Sequence, residues 1–259
     1  MGPNAMHHAA ILAVVFMATS LLLVPGASAG LILDIDLRGV YEDNITGSAA
    51  DVGKKGDYYA VLSTSIGGYS QVGDGAYLFL RADAAGYLYR KYTDLNAAII
   101  GVSAGVYKEF GDTLSAKAEL RAKNKSYRES GRSGGAYSSA LEIKQQILPG
   151  LWIREGYEFE KNIAGADIFS YTGHMLGIWS GYSISSKTLL TLGYSYLIRT
   201  YEEPSGFRNL FHTASSGIFK EVARKTYLSA AYNRQYINSS ARGTSHTNNI
   251  YILAVTCSY

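Results

Sequence analysis

Cysteine and proline are scarce in this 259-residue chain, with one Cys and four Pro. A single thiol excludes a disulfide framework and a cysteine-built zinc ribbon. Excess charge of one sign is also small. A formal net charge of +3 is too slight for a protein that binds nucleic acid by neutralising phosphates. Disorder is excluded from the opposite direction. With 47% hydrophobic and 12% aromatic residues, the chain is richer in core-forming side chains than a disordered one. Beyond residue 29 long apolar runs are missing too. Stretches such as Ala97 to Val102 are too short to cross a bilayer as helices. The chain is therefore either an exported soluble protein or one that crosses a membrane as strands, the other spanning solution.

The first segment differs from the rest. Residues 1–29 contain no Lys, Arg, Asp or Glu, and Ala9 to Val24 is almost wholly apolar. Pro25 and Gly26 then break any helix, and Ala27-Ser28-Ala29 places small residues at the −3 and −1 positions of a cleavage site. That order reads as a secretory signal peptide over 1–29, cut after Ala29. Its start departs from the usual pattern, since His7, His8 and the α-amino group replace fixed positive side chains. The expected mature domain is 30–259.

Within that domain apolar residues fall on alternate positions. Leu31, Leu33, Ile35 and Leu37 interleave with Ile32, Asp34, Asp36 and Arg38. Leu114, Ala116, Ala118, Leu120 and Ala122 interleave with Ser115, Lys117, Glu119, Arg121 and Lys123. Similar alternation runs through Tyr137 to Ile147, Leu190 to Ile198 and Tyr251 to Tyr259. A period of two is the strand signature, and runs of about ten residues suit a tilted strand crossing a bilayer. Residues 116–125 are rich in helix formers, yet a helix would scatter these apolar side chains around its circumference. The pattern predicts twelve strands, near 31–41, 57–69, 76–90, 95–108, 114–127, 135–147, 151–161, 171–183, 189–201, 210–220, 226–237 and 249–259. Strands 2, 4, 8 and 10 are semi-apolar on both faces, which leaves ten or fourteen open.

Connections alternate in length. Gln71 to Gly75, Phe110 to Asp112, Leu148 to Gly150, Ser185 to Lys187 and Glu221 to Lys225 are short. Glu42 to Gly56, Arg128 to Gly134, Asn162 to Phe169, Tyr201 to Asn209 and Asn238 to Asn248 are longer or more polar. Short turns at one rim and long loops at the other fit an all-β transmembrane antiparallel up-and-down barrel. Many of the 22 tyrosines fall near strand ends: Tyr41, Tyr58, Tyr59, Tyr87, Tyr89, Tyr127, Tyr157, Tyr171, Tyr201, Tyr251 and Tyr259. They are expected to form an interfacial girdle.

The final residues, Ile250 to Tyr259, carry a resemblance. An aromatic at the end, with hydrophobic residues at every second position before it, resembles the closing strand of bacterial outer-membrane β-barrel proteins. The resemblance implies that Tyr251, Leu253, Val255, Cys257 and Tyr259 face lipid and serve as the signal read by the barrel-assembly machinery. Cys257 departs mildly, being small where a larger residue is usual. A second resemblance rests on Gly39 to Ile45 followed by Asp57-Tyr58. This segment looks like the first hairpin of a broad group of porin-like barrels, some associated with exopolysaccharide export. It covers little of the chain, and no functional residue is carried over from it.

If the apolar faces point to lipid, the alternate positions line the interior. These are Asp34, Asp36 and Arg38; Lys117, Glu119, Arg121 and Lys123; Glu142 and Lys144; Arg154, Glu158 and Glu160; and Arg199. They form either a charged selectivity constriction or a salt-bridge network filling a narrow lumen. Twelve strands lie between the filled eight-stranded barrel and the open sixteen-stranded porin. Catalysis has little footing. His174, His212 and His246 lack a clear hydroxyl nucleophile on the same face. Asp34 and Asp36 share a face as calcium ligands would, but Arg38 beside them favours an ion pair. Nothing resembles a phosphate loop, zinc site or haem-attachment motif, so no cofactor is expected. The expected function is a small outer-membrane channel for ions or small polar solutes. The alternative is a non-catalytic scaffold or assembly partner in polysaccharide or surface-component export. A soluble exported barrel is the structural rival. The expected partners are outer-membrane lipid and, during biogenesis, the assembly machinery, with an unspecified export partner left open.

Overall fold

The computed structural model describes residues 29–48, 53–240 and 244–259. Twelve strands follow one another around a closed barrel. They are β1 (Ala29–Glu42), β2 (Asp57–Gly73), β3 (Ala76–Tyr89), β4 (Ala97–Phe110), β5 (Leu114–Tyr127) and β6 (Gly134–Leu148), then β7 (Leu151–Ala164), β8 (Tyr171–Ser185), β9 (Thr188–Tyr201), β10 (Arg208–Ala223), β11 (Thr226–Ser239) and β12 (His246–Ser258). Every neighbouring pair is antiparallel, and β1 closes the ring on β12 from Asp34↔Ser258 to Glu42↔Ile250. Closure leaves no sheet edge unpaired, as lipid surroundings demand. The apolar segment 9–24 lies outside the described residues. Ala29, the last residue of the expected leader, opens β1 opposite Ser70.

Most strands outrun their predicted limits by a few residues, because pairing continues beyond the alternating core into rim positions with no hydrophobic pattern; β5 matches its predicted 114–127, β3 ends one residue early and β4 is shifted two residues on. The residues after β3, β5 and β7 add short 3₁₀ turns at Thr93–Leu95, Ser130–Arg132 and Asp167–Phe169. At the other rim the connections are tight. Gly150 turns with φ 81° and Lys225 with φ 59°, the left-handed conformation that two-residue hairpins require. Both β1 and β12 have their outer termini at this short-turn rim, so the even strand number and rim asymmetry match an outer-membrane barrel.

The fold is inside out relative to a soluble barrel. Leu62, Leu120, Leu141, Leu192 and Leu253 are exposed on the outer wall, Leu120 and Leu253 each to 68%. β5 is a strand despite its helix formers, because only a strand puts Leu114, Ala116, Ala118, Leu120 and Ala122 on one lipid-facing side. The outer rim carries a true aromatic cluster. Tyr41 lies 4.6 Å from Tyr58 and 6.2 Å from Tyr251, and Tyr232 lies 5.2 Å from Tyr251, by ring centroids.

The expected tyrosine girdle needs correction. Tyr87, Tyr127, Tyr171 and Tyr201 line the interior. Tyr59 and Tyr89 pair with each other on that same face, with centroids 4.4 Å apart. Position near a strand end sets height and says nothing about face. Tyr58 and Tyr59 are consecutive, so one must point in when the other points out.

Rim order depends on one carboxylate. Asp57 opens β2 and is fully buried. It accepts backbone N–H bonds from Tyr58 at 2.8 Å, Lys91 at 3.0 Å and Tyr92 at 3.0 Å, tying β2 to the chain leaving β3. Asp57→Ala is expected to cost about 2 kcal/mol, since buried donors lose their acceptor. Asp57→Asn should recover part of that loss. Urea titration of the folded, heat-modifiable band checks both; equal stability of all three proteins would refute the anchoring role.

Candidate functional site: the charged lumen

Register decides which charges meet. Along β3, β5 and β7 the inward positions carry long charged side chains, while the facing stretches 101–105 of β4 and 136–140 of β6 present small ones. Gly101, Ser103 and Gly105 of β4 stand opposite Lys123, Arg121 and Glu119 of β5. Ala136, Ser138 and Ala140 of β6 stand opposite those same three residues on the other side. The small strands act as troughs in which the long side chains lie along the wall and reach one another. At Gly105 the trough has no spare room, since a Cβ there would sit 2.5 Å from the Phe79 ring.

Glu119 is the centre of this arrangement and is 4% exposed. Arg121 donates to its Oε1 at 2.9 Å, Lys117 Nζ lies 3.2 Å from its Oε2, and Arg81 approaches to 3.9 Å. The chain continues at each end. Arg81 lies 3.3 Å from Asp83, and Arg121 lies 3.9 Å from Glu158. Opposite charges on one face of neighbouring strands stabilise the sheet, and around a common carboxylate they hold each other in place.

The other predicted lumen residues extend the pattern. Arg154 pairs with Glu142 at 3.6 Å and lies over the Trp179 ring at 4.7 Å. Lys144 sits over Trp152 at 5.0 Å. Glu160 pairs with Lys125 at 3.5 Å and accepts the Tyr171 hydroxyl at 2.5 Å. Arg38 pairs with Asp36, whose other oxygen accepts from Thr256 at 2.6 Å. Arg199 lies over two aromatic rings, 4.6 Å from that of Tyr171 and 5.0 Å from that of Phe211.

Between these walls is a cavity of about 1090 Å³. Its lining mixes both signs with an excess of cations: Asp34, Asp36, Arg38, Arg81 and Asp83 come from β1 and β3, and Arg121, Lys123, Lys125, Glu160 and Arg199 from β5, β7 and β9. A smaller cavity of about 410 Å³ lies toward the short-turn rim, lined by Tyr69, Tyr77, Phe79 and Tyr107 with Lys117 and Glu119. Arg81 borders both cavities, so the Arg81–Glu119 contact marks the waist between them.

Sequence reasoning missed Arg81, Asp83 and Lys125. In β3 the run Ala76 to Tyr89 is apolar on both faces except at Arg81 and Asp83, which hides its phase. The signal was there in those two charges, at i and i+2 on one face. Lys125 continues the inward series of β5 beyond the apolar stretch that identified the strand.

The proposed terminal signal residues Tyr251, Leu253, Val255 and Tyr259 are exposed on the outer wall, and Cys257 is half-buried there beside Thr226. His174 and His212 also point outward, and neither hydrogen-bonds a serine among the described residues. His174 Nδ1 lies 2.9 Å from the Tyr157 hydroxyl, and His212 Nδ1 lies 2.7 Å from that of Tyr194.

No family model and no curated protein matches the sequence. Solved structures do match the fold. An outer-membrane channel from Pseudomonas putida F1 is 10% identical with a TM-score of 0.61, covering 92% of this chain and 97% of that one. The NanC porin is 13% identical with a TM-score of 0.58, covering 86% and 98%. The KdgM porin in complex with disordered oligogalacturonate is 12% identical with a TM-score of 0.53, covering 87% and 99%. The chain thus has the porin-like fold of these outer-membrane barrels, over nearly the whole length of each.

Proposed function

We propose that the protein is an outer-membrane channel for small polar or ionic solutes, with a preference for anions. One observation carries this reading. The long charged side chains lie along the wall over small residues and leave a polar cavity of about 1090 Å³ inside the barrel. A salt-bridge network that filled the lumen would instead have left small, separate voids. The cavity is lined by seven Arg and Lys side chains and four carboxylates, and this excess of cations would hold anions against their loss of hydration. Aromatic rings beside those cations suit solutes with a sugar-like face, which accords with the oligogalacturonate in the KdgM complex. The apolar leader would deliver the chain to the periplasm, and the outward residues Tyr251 to Tyr259 would present it to the assembly machinery.

The test is single-channel recording of the refolded barrel in a planar bilayer, with a salt gradient to read selectivity. Discrete openings with an anion-selective reversal potential are expected. A folded, heat-modifiable barrel without conductance would overturn the channel reading in favour of a closed scaffold.

A further inference from the structure

The outer wall has one carboxylate on its strands. By register, β7 turns Ile153, Glu155, Tyr157 and Phe159 outward, and Glu155 stands between Ile143 of β6 and Ile178 of β8. Its side chain has no hydrogen-bond or ion-pair partner among the described residues, and it is exposed. An unpartnered charge facing hydrocarbon is costly. It sits in a groove of about 580 Å³ walled by Leu141, Ile143, Leu176 and Ile178. Tyr157 and Tyr194 also border this groove, but their hydroxyls are held by His174 and His212. Their rings therefore contribute apolar surface, as does that of Tyr196, 4.9 Å from the His212 ring, and Glu155 is the one charged residue lining the groove among the described residues.

Height places the carboxylate near the lipid headgroups. Glu155 is the fifth residue of β7, counted from the short-turn rim. At about 3.3 Å per residue and a tilt near 40°, it stands roughly 10 Å above that rim, within a carboxylate's reach of the interface. The groove runs on from it toward the barrel's middle. A ligand for this site needs an extended apolar chain for the groove and a hydrogen-bonding cation at its polar end.

We propose that this groove seats a phospholipid of the short-turn leaflet whose headgroup carries a primary ammonium. The acyl chain lies between the β6 and β8 walls, and the ammonium donates to Glu155. The charge-assisted contact supplies selectivity, and the apolar walls supply contact area.

The test is native mass spectrometry of the folded full-length barrel, equilibrated with equal amounts of phosphatidylethanolamine and phosphatidylglycerol of matched chains. The ethanolamine lipid is expected to exceed the glycerol lipid among bound adducts by about tenfold, the equivalent of one such contact. Glu155→Gln should bring that ratio close to one while leaving the heat-modifiable band intact. Ile178→Trp, which fills the groove and keeps the charge, should lower total adducts of both lipids. Equal ratios in the native protein and Glu155→Gln would overturn the proposal. So would a Glu155-dependent dimer that forms without bound lipid, since a second copy would then occupy the face.

Discussion

Glu119→Gln is expected to make the channel about fourfold more anion-selective without unfolding it. Glu119 is the shared acceptor for Lys117, Arg121 and Arg81. The amide preserves its size and one acceptor oxygen but removes the charge that holds three cations against the wall. A unit charge some 10 Å from a permeating ion in water is worth about 0.4 kcal/mol, roughly a twofold change in partition for each sign of ion, in opposite directions, and so about fourfold in their ratio. Lys117 and Arg121 would gain freedom to extend toward the axis, which adds to the same direction of change. The barrel survives because the released cations lie in a polar lumen where water can replace the carboxylate. The shift should shrink at 1 M salt, where the Debye length is about 3 Å. Reversal potentials at low and high salt read both effects. An unchanged reversal potential at low salt, in a wild-type channel that conducts, would show that the Glu119 cluster stands away from the ion path.

Much of this architecture is legible in alternation, and the reason is physical. A barrel wall has lipid on one side and water on the other, so strands such as β1, β5 and β12 carry the contrast in their sequence. The inward placement of Asp34, Asp36, Arg38, Lys117, Glu119 and Arg121 follows from that contrast alone. β3 hides its phase because its interior positions include Tyr77, Phe79, Ala85 and Tyr87, as apolar as the outward ones. Tyrosine compounds the difficulty, since it suits a bilayer interface and a polar lumen equally well. The troughs on β4 and β6 could not be foreseen from either strand singly. Gly105 and Ala140 gain meaning only when register places both beside Glu119. Pairing of Arg121 with Glu158, across β6, likewise depends on the size of Ser138 and Ala140 between them.

The sharpest test of the whole arrangement uses two adjacent residues. Leu120 sits at the centre of β5 and is exposed on the outer wall; Arg121 points inward to Glu119 and Glu158. Leu120→Arg is expected to destabilise the folded barrel in lipid by about 2–4 kcal/mol, the cost of a cation near the midplane of the lipid face. Arg121→Leu should leave lipid insertion intact and alter selectivity, since it removes a lumen cation and one of the partners of Glu119. Reversible urea unfolding in vesicles measures the first effect, and bilayer recording the second. If this same outer face met water instead of lipid, Leu120→Arg would place a charge in solvent at little cost. A lipid-refolded Leu120→Arg protein as stable as wild type would therefore refute a membrane-facing β5. The two substitutions separate the requirements of one strand, because a shift of one residue exchanges hydrocarbon for the aqueous lumen.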